Sequence, residues 1–258
     1  MHGKKIIVSG PKENRIIRAF NNVRFYKTDM SGKCDSLHSS TKNELTQLIG
    51  KPILWNKDNQ MTGDVMHLIG NNKTEQLDSL KVLNNAFIIQ KDSLSLNGYN
   101  QIKGQNLYGK FIDQKLREVD IIKNAESIYY IYNDKNEFVG IRKSVCSRIN
   151  LEMNENKIET MTGFNNAESN IYPEDEFPEN ARKLRGFVWR GDERILTKED
   201  IFPAEELALD EKAKSESKKK ASKAEKPMEI LKETLEYDKK NPKPKDTTVK
   251  PVKSEKVK

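Results

Sequence analysis

Apolar and polar positions alternate with a period of two through most of residues 1–203, the pattern of strands with one covered face. The clearest run is 145–153. There Val145, Ile149, Leu151 and Met153 share one parity, and Cys146, Arg148, Asn150 and Glu152 share the other. This puts Cys146 on the polar side. Leu94 and Leu96 alternate with Ser95 and Asn97 in the same way. Two runs break the rule: Phe87-Ile88-Ile89 and Ile128-Tyr129-Tyr130-Ile131-Tyr132 are apolar at successive positions. They suit strands covered on both sides, or strands with one side facing a groove that holds something greasy. Between the runs stand turn-forming clusters, Lys57-Asp58-Asn59-Gln60, Gly70-Asn71-Asn72-Lys73, Asn133-Asp134-Lys135-Asn136 and Asn154-Glu155-Asn156-Lys157, which tolerate positive φ and close hairpins. Helical periodicity of useful length appears only at 228–235, as a short marginal helix.

The strands are organised by a phrase that recurs five times: Asn or Lys, then a small or apolar residue, then a strand-like run. It reads Asn22-Val23-Arg24-Phe25-Tyr26, Lys51-Pro52-Ile53-Leu54-Trp55, Asn85-Ala86-Phe87-Ile88-Ile89, Asn124-Ala125-Glu126-Ser127-Ile128 and Asn166-Ala167-Glu168-Ser169-Asn170. From Val23 through Ile53, Ala86, Ala125 and Ala167 the steps are 30, 33, 39 and 42 residues. Spacing in this range predicts a stack in which each unit buries its apolar face against its neighbours. A second phrase sets Gly before a strand at Gly32, Gly63 and Gly104, with a looser copy at Gly140; Gly at such an entrance marks a bulge or a sharp bend. Between the copies lie paired apolar positions such as Leu45/Leu48/Ile49, Leu77/Leu80, Leu116/Val119/Ile122 and Ile158/Met161. The expected unit is therefore about three strands, one short and apolar, one after the Gly and one before the next phrase, and the expected fold is all-β.

Charge changes the picture mainly at the C-terminus. Residues 204–258 hold 16 Lys, no Arg and 12 acidic residues, a net +4 of the chain's +7. Lys interleaved with Glu around one aromatic, Tyr237, reads as a solvated, disordered tail. It lacks the Arg-and-aromatic basic face of a nucleic-acid binder, so no nucleic-acid partner is expected.

Chemistry-bearing residues are sparse. Cys34 and Cys146 stand far apart, and the three His (His2, His38, His67) are scattered, which argues against a structural zinc site. The cysteines are either small buried hydrophobes or, in an oxidising compartment, one disulfide. No phosphate loop, GxSxG or HExxH is present. Asp64 and His67 fall on opposite strand faces. No enzymatic activity, metal or cofactor is expected. No stretch reaches the roughly 18–20 apolar residues of a membrane span. The N-terminal apolar run, Ile6-Ile7-Val8, falls short of the about 7–15 residues of a secretory signal.

The succession Gly63-Asp64, Asn85-Ala86-Phe87, Gly104-Gln105-Asn106-Leu107-Tyr108-Gly109, Ile128-Tyr129-Tyr130 and finally Gly186-Phe187-Val188-Trp189-Arg190-Gly191-Asp192-Glu193-Arg194 resembles the OstA-like, LptA-type (organic solvent tolerance) family over roughly residues 18–195. The resemblance implies an open β-jellyroll, a trough of stacked antiparallel strands. It implies a periplasmic carrier that binds the lipid A acyl chains of lipopolysaccharide and bridges toward the outer membrane. The implied partners are lipopolysaccharide, other transport proteins joined by edge-strand addition, and further copies of the chain.

In that frame 1–203 is the repeat domain, entered partway through a longer array whose leader is not in this sequence, and 173–203 caps the end of the stack. The trough candidates are Val23, Phe25, Ile53, Trp55, Phe87, Ile89, Ile128, Tyr130, Ile149 and Leu151; alternation alone leaves open which parity faces the trough. The competing reading is a surface β-repeat adhesin or scaffold, with a filled interior and a polar, aromatic-dotted outer face.

Overall fold

The computed structural model describes residues 1–28, 30–74, 76–95, 97–154, 157–203 and 207–208. The Lys-rich tail and the 228–235 helix expected from the sequence lie outside these residues, apart from the turn at 207–208. The chain divides into Met1–Phe202 and Pro203–Lys258, and every strand described belongs to the first unit.

That unit is all-β. Its strands are β1 (Lys5–Ser9), β2 (Ile16–Lys27), β3 (Met30–Ser40), β4 (Leu45–Ile49), β5 (Ile53–Asn56), β6 (Asn59–Thr62), β7 (Val65–Asn71), β8 (Gln76–Lys91), β9 (Tyr99–Ile112), β10 (Lys115–Tyr132), β11 (Phe138–Asn154), β12 (Lys157–Phe164) and β13 (Glu168–Tyr172). They form one sheet, neighbour pairing with neighbour in chain order from β1 to β12 except where β5 and β6 step aside to bridge β3 to β8, and β13 returns to β11. The pairing is antiparallel throughout, as short hairpin connections require.

The five repeated phrases mark five corners of this sheet. Each begins with the second of two left-handed residues: Asn21-Asn22, Gly50-Lys51, Asn84-Asn85, Lys123-Asn124 and Asn165-Asn166 all have φ between 51° and 81°. Asn and Gly reach this region at the lowest cost, which is why they recur there. At a corner the two left-handed residues oppose one residue of the next strand, as where Leu83 and Ala86 pair with Asn106 and Gly104. The first carbonyl of the pair accepts a backbone N–H from across the corner: Lys4 to Asn21 (3.2 Å), Asp35 to Gly50 (3.2 Å), Asp64 to Asn84 (3.1 Å) and Ser147 to Asn165 (3.1 Å). The ladder therefore continues through the bend. The short apolar strand expected as a separate member of each unit is instead the second half of a long bent strand in two of them, since 76–83 and 86–91 are both β8 and 115–122 and 125–132 are both β10.

The corners fold the sheet into two leaves. On the strands that carry a left-handed pair, the residues before it lie in the first leaf and those after it in the second; their antiparallel partners β3, β9 and β11 cross in the opposite sense, and β7 lies in the first leaf and β6 in the second. The inward faces meet in one core, which takes Leu48, Met66, Val82, Leu107, Ile121 and Ile149 from the first leaf and Leu54, Met61, Ile88 and Ile102 from the second. Along the fold line the leaves come closest, and only small side chains fit. A Cβ added to Gly63 would lie 2.3 Å from Val82 Cγ1, and one added to Gly104 would lie 2.4 Å from Ile121 Cγ2. Gly63 and Gly104 are thus the neighbour-strand side of the corner, with Cys34 and Cys146 in the same column opposite Val23 and Ala125, whereas Gly32 and Gly140 pair with Phe25 and Ile131, away from it.

This geometry corrects two sequence expectations. Cys146 is not on the polar side of its strand: it is buried in the core and Val145 is exposed. Strict alternation fails because Ser147, opposite Lys123 and Asn124, sits at the corner and shifts the parity by one. Leu94 is not in a strand but in a loop over 92–98. Asp92 closes that loop, its N–H donating to Gly98 O (2.9 Å) and its carboxylate accepting from Ser95 N–H (2.9 Å). Leu96 lies outside the described residues.

The two cysteines do not pair. Six ladder steps separate β3 from β11 in the second leaf, on the order of 29 Å at the usual strand spacing, and both thiols are free and buried. Burial pushes the Cys34 thiol up to about 12. Its folded value lies above its unfolded one, so the associated stability is complete below about pH 9 and is lost as pH rises toward 12. A denaturation series across that range is expected to show alkaline destabilisation that Cys34→Ala reduces. An unchanged slope in the variant counts against it.

Candidate functional site

The inter-leaf interior is the candidate site. It runs along the stacked strands of both leaves, roughly 43 Å for the nine steps of about 4.8 Å between the ten strands of the main path. Near the fold line it is filled: Val23, Leu48, Met66, Leu80, Val82 and Ala125 have no measurable exposure. Away from that line the leaves part, and the side chains packed on the core are only partly buried: Phe25, Met30, Leu68, Leu77, Ile158 and Met161. A cavity of about 670 Å³ opens at the N-terminal end of the stack; Leu45, Leu68 and Leu77 line its apolar part, and the rest of its lining is polar or charged, including Lys12, Glu13, Lys27, Glu44 and Asn71. A second, of about 1190 Å³, opens toward the C-terminal end, beside Ile158 and Tyr129.

The second leaf changes character toward its free end. Two residues beyond Leu54, Met61, Ile88 and Ile102, its inward face carries Asn56, Asn59, Gln90 and Asn100, joined edge to edge by the ladder. Further along the same face stand Tyr129 and its pair Arg142. The Asn100 carboxamide accepts the Tyr130 N–H (2.9 Å), replacing a ladder bond where β9 and β10 diverge. Burial, with the charge of Asp92, raises the Tyr129 hydroxyl above its ordinary value. The interior is therefore apolar at the fold line and amide-rich at one lip.

The outer face of the second leaf is also apolar, and the segment after β13 covers it. Of residues 173–203, expected from the sequence to cap the end of the stack, 173–202 run across this face from β11 back to β2 as a strap. Phe177 and Leu184 pack with Phe87, Ile89, Ile128, Tyr130 and Ile141 in a second core. Tyr172 stacks on Phe177, and Tyr99 meets the rings of Phe187 and Trp189. Two fully buried glutamines, Gln60 and Gln101, grip the strap's backbone from both sides of their carboxamides. Gln101 Nε2 donates to Arg182 O (2.7 Å), and its Oε1 accepts the Leu184 N–H (2.8 Å). Gln60 Nε2 donates to Val188 O (2.7 Å), and its Oε1 accepts the Arg190 N–H (2.7 Å). Beyond them, hydrogen bonds from Arg190 and Lys33 draw the Glu193 carboxyl down to about 2, and Phe202 reaches His2 at the other end of the stack.

The ten candidate residues consequently do not share one face. Val23, Phe25, Ile149 and Leu151 belong to the inter-leaf core. Phe87, Ile89, Ile128 and Tyr130 lie beneath the strap. Ile53 and Trp55 are buried on the same outer side, joined to Phe87 and Ile89 through Thr62 and Gln60. The doubly apolar runs are thus strands covered on both sides, one of the two arrangements their pattern allows. The glutamine grips and the amide lip carried no sequence signal, because a Gln or Asn inside a strand reads as solvent-facing until its partner strand or strap is known.

Groups with reactive potential are dispersed. Asp64 accepts two hydrogen bonds from Asn85 Nδ2 (3.1 and 3.0 Å) at a corner, and the His67 ring faces Gln47 (3.1 Å). Among the described residues no cluster of three or more His, Cys, Asp or Glu is placed to hold a metal ion.

No known protein family matches the chain, and no curated protein does. Among solved structures it is similar to the crystal structure of LptH, the LptA homologous periplasmic component of the conserved lipopolysaccharide transport device from Pseudomonas aeruginosa. The identity is 13%, the match covers 57% of this chain and 100% of that one, and the TM-score is 0.42, a likeness too loose to assign a family.

Proposed function

We propose that this chain is a non-enzymatic lipid carrier that takes acyl chains between its leaves at the parted ends, with lipopolysaccharide as the ligand and the periplasm as its place of work. The observation that carries the reading is the inter-leaf interior: one apolar core shared by both leaves, flanked by partly buried Met30 and Met161, with Leu68 and Leu77 at one mouth and Ile158 at the other. A buried CH₂ contributes about 0.8 kcal/mol, so apolar walls suffice to hold an acyl chain. Met30 and Met161 suit such a wall because their unbranched thioethers repack around irregular guests. In this reading Val23, Phe25, Ile149 and Leu151 form the floor. Phe87, Ile89, Ile128, Tyr130, Ile53 and Trp55 meet a ligand only if the strap lifts. Partners in a transport bridge would join at the edges of the sheet, at β1 and β12.

The test is uptake of lipid A or lipopolysaccharide by the delipidated full chain, followed by fluorescence displacement. Saturable uptake is expected, and Leu68→Asp and Ile158→Asp, at opposite mouths, are each expected to lower the affinity about 10-fold or more, the equivalent of about 1.4 kcal/mol. Absence of saturable uptake by the folded chain would sink the proposal. A second reading, a scaffold with a filled interior, is favoured by one observation, the complete burial of the rows next to the fold line. It predicts that neither aspartate changes lipid binding.

A further inference from the structure

We infer that the cleft around the free end of the second leaf is a binding site for a neutral carbohydrate of one to a few pyranose units. The cleft, about 1190 Å³, is bounded by three hairpin loops of that leaf and by strap residues 189–194. Its size is ample against the roughly 300–1,000 Å³ of small-molecule pockets. The cleft is the same cavity as the C-terminal mouth of the inter-leaf interior; the carbohydrate site is its loop and amide lip, while Ile158 belongs to the inner, apolar side.

The walls are preorganised. Asp92 fixes one loop through Ser95 N–H (2.9 Å) and ties it to the next strand by accepting the Tyr132 hydroxyl. Asn133 Oδ1 fixes the neighbouring loop through the N–H groups of Lys135 (3.0 Å) and Glu137 (2.9 Å). Loops held this way lose little freedom on binding.

The lining matches the two-sided chemistry of a sugar ring. Tyr129 lines the cleft from the inward face of the leaf, and Tyr132 and Trp189 line it from the strap side of the same free end; either aromatic surface suits the C–H face of a pyranose. Gln90, Asn100 and Asn136 line it as well, and a carboxamide both donates to and accepts from neighbouring hydroxyls. Trp55, also in the lining, keeps a buried Nε1–H without a partner among the described residues. Charge narrows the ligand class. The cations Lys57, Lys91, Lys157 and Arg194 face Asp58, Asp92 and Asp192, and Arg194 lies 3.8 Å from Asp58. The near-balance offers little to a polyanion, so a neutral glycan is favoured over a phosphate group.

The test uses the full chain against an array of neutral oligosaccharides, with glucose 1-phosphate and inorganic phosphate as comparators. Hits are measured by saturation-transfer NMR and titration calorimetry. Saturable binding of at least one neutral glycan, insensitive to salt, is expected. Gln90→Leu should weaken it about 3- to 10-fold, the equivalent of one neutral hydrogen bond. Ser93→Trp, on an exposed loop position that leaves the cores untouched, should fill the cleft and abolish binding while thermal unfolding stays that of the parent. The inference is overturned if the folded chain binds no neutral glycan, if only the phosphate comparators bind, or if binding survives in Ser93→Trp.

Discussion

Replacing Gln101 with leucine is expected to destabilise Met1–Phe202 by about 2–6 kcal/mol, because it strands two backbone groups that share one carboxamide and each such group costs about 1–3 kcal/mol. Gln101 is fully buried, and its amide closes both the Arg182 carbonyl and the Leu184 N–H of the strap. Leucine keeps the side chain's bulk and removes donor and acceptor together. The chain has two ways to respond. It can keep the strap seated with the unpaired groups buried, or it can release the strap and expose Phe87, Ile89 and Ile128 to water. Denaturant unfolding reads the first response as a lower midpoint at constant slope. Limited proteolysis within 173–202 reads the second. A variant with parental stability and parental protease resistance would show that the grip is not what seats the strap. Gln60→Leu is expected to act in the same direction through Val188 and Arg190. The double variant should cost less than the sum, since one segment is released in both cases.

The double substitution Asn84→Val with Asn85→Val is expected to cost about 2–4 kcal/mol, at about 1–2 kcal/mol for each left-handed residue that loses its tolerance for that conformation. Both have positive φ, 57° and 52°. Asn85 also holds Asp64 across the corner, so a further loss accompanies the backbone strain. Asn85→Gly separates the two contributions: it keeps the corner and removes only the side-chain bond, and should cost about 0.5–1.5 kcal/mol. Equilibrium unfolding of the three proteins measures the difference. Equal stability of the valine pair and the parent would mean that the corner is set by the packing of the leaves and not by the residues that turn it.

The corners also show where reading the sequence reaches the fold and where it stops. The recurrence of Asn before Val23, Ala86, Ala125 and Ala167 was visible because a left-handed pair needs particular residues, and local backbone chemistry is written locally. The parity of Cys146 was not visible. It depends on one corner residue, Ser147, whose role exists only because Lys123 and Asn124 lie opposite it on another strand. Leu94 failed for a similar reason: loop closure by Asp92 overrides an alternation of four residues. Of the ten candidates, four lie in the inter-leaf core, and the sequence marked them as apolar without showing which way they face. The other six were equally apolar, and only the strap separates them from the first set.

What the sequence determined by itself is the all-β class, the recurrence of the five phrases that the structure turns into bends, and the alternation of core residues within each straight segment. All three follow from interactions between residues a few positions apart. The tertiary structure alone decided which face of each strand meets the opposite leaf, that residues 173–202 lie over the second leaf, and that Gln60 and Gln101 are anchors rather than surface residues. Those outcomes depend on contacts between positions 80 to 130 residues apart, and no local pattern encodes which distant backbone will complete a buried amide.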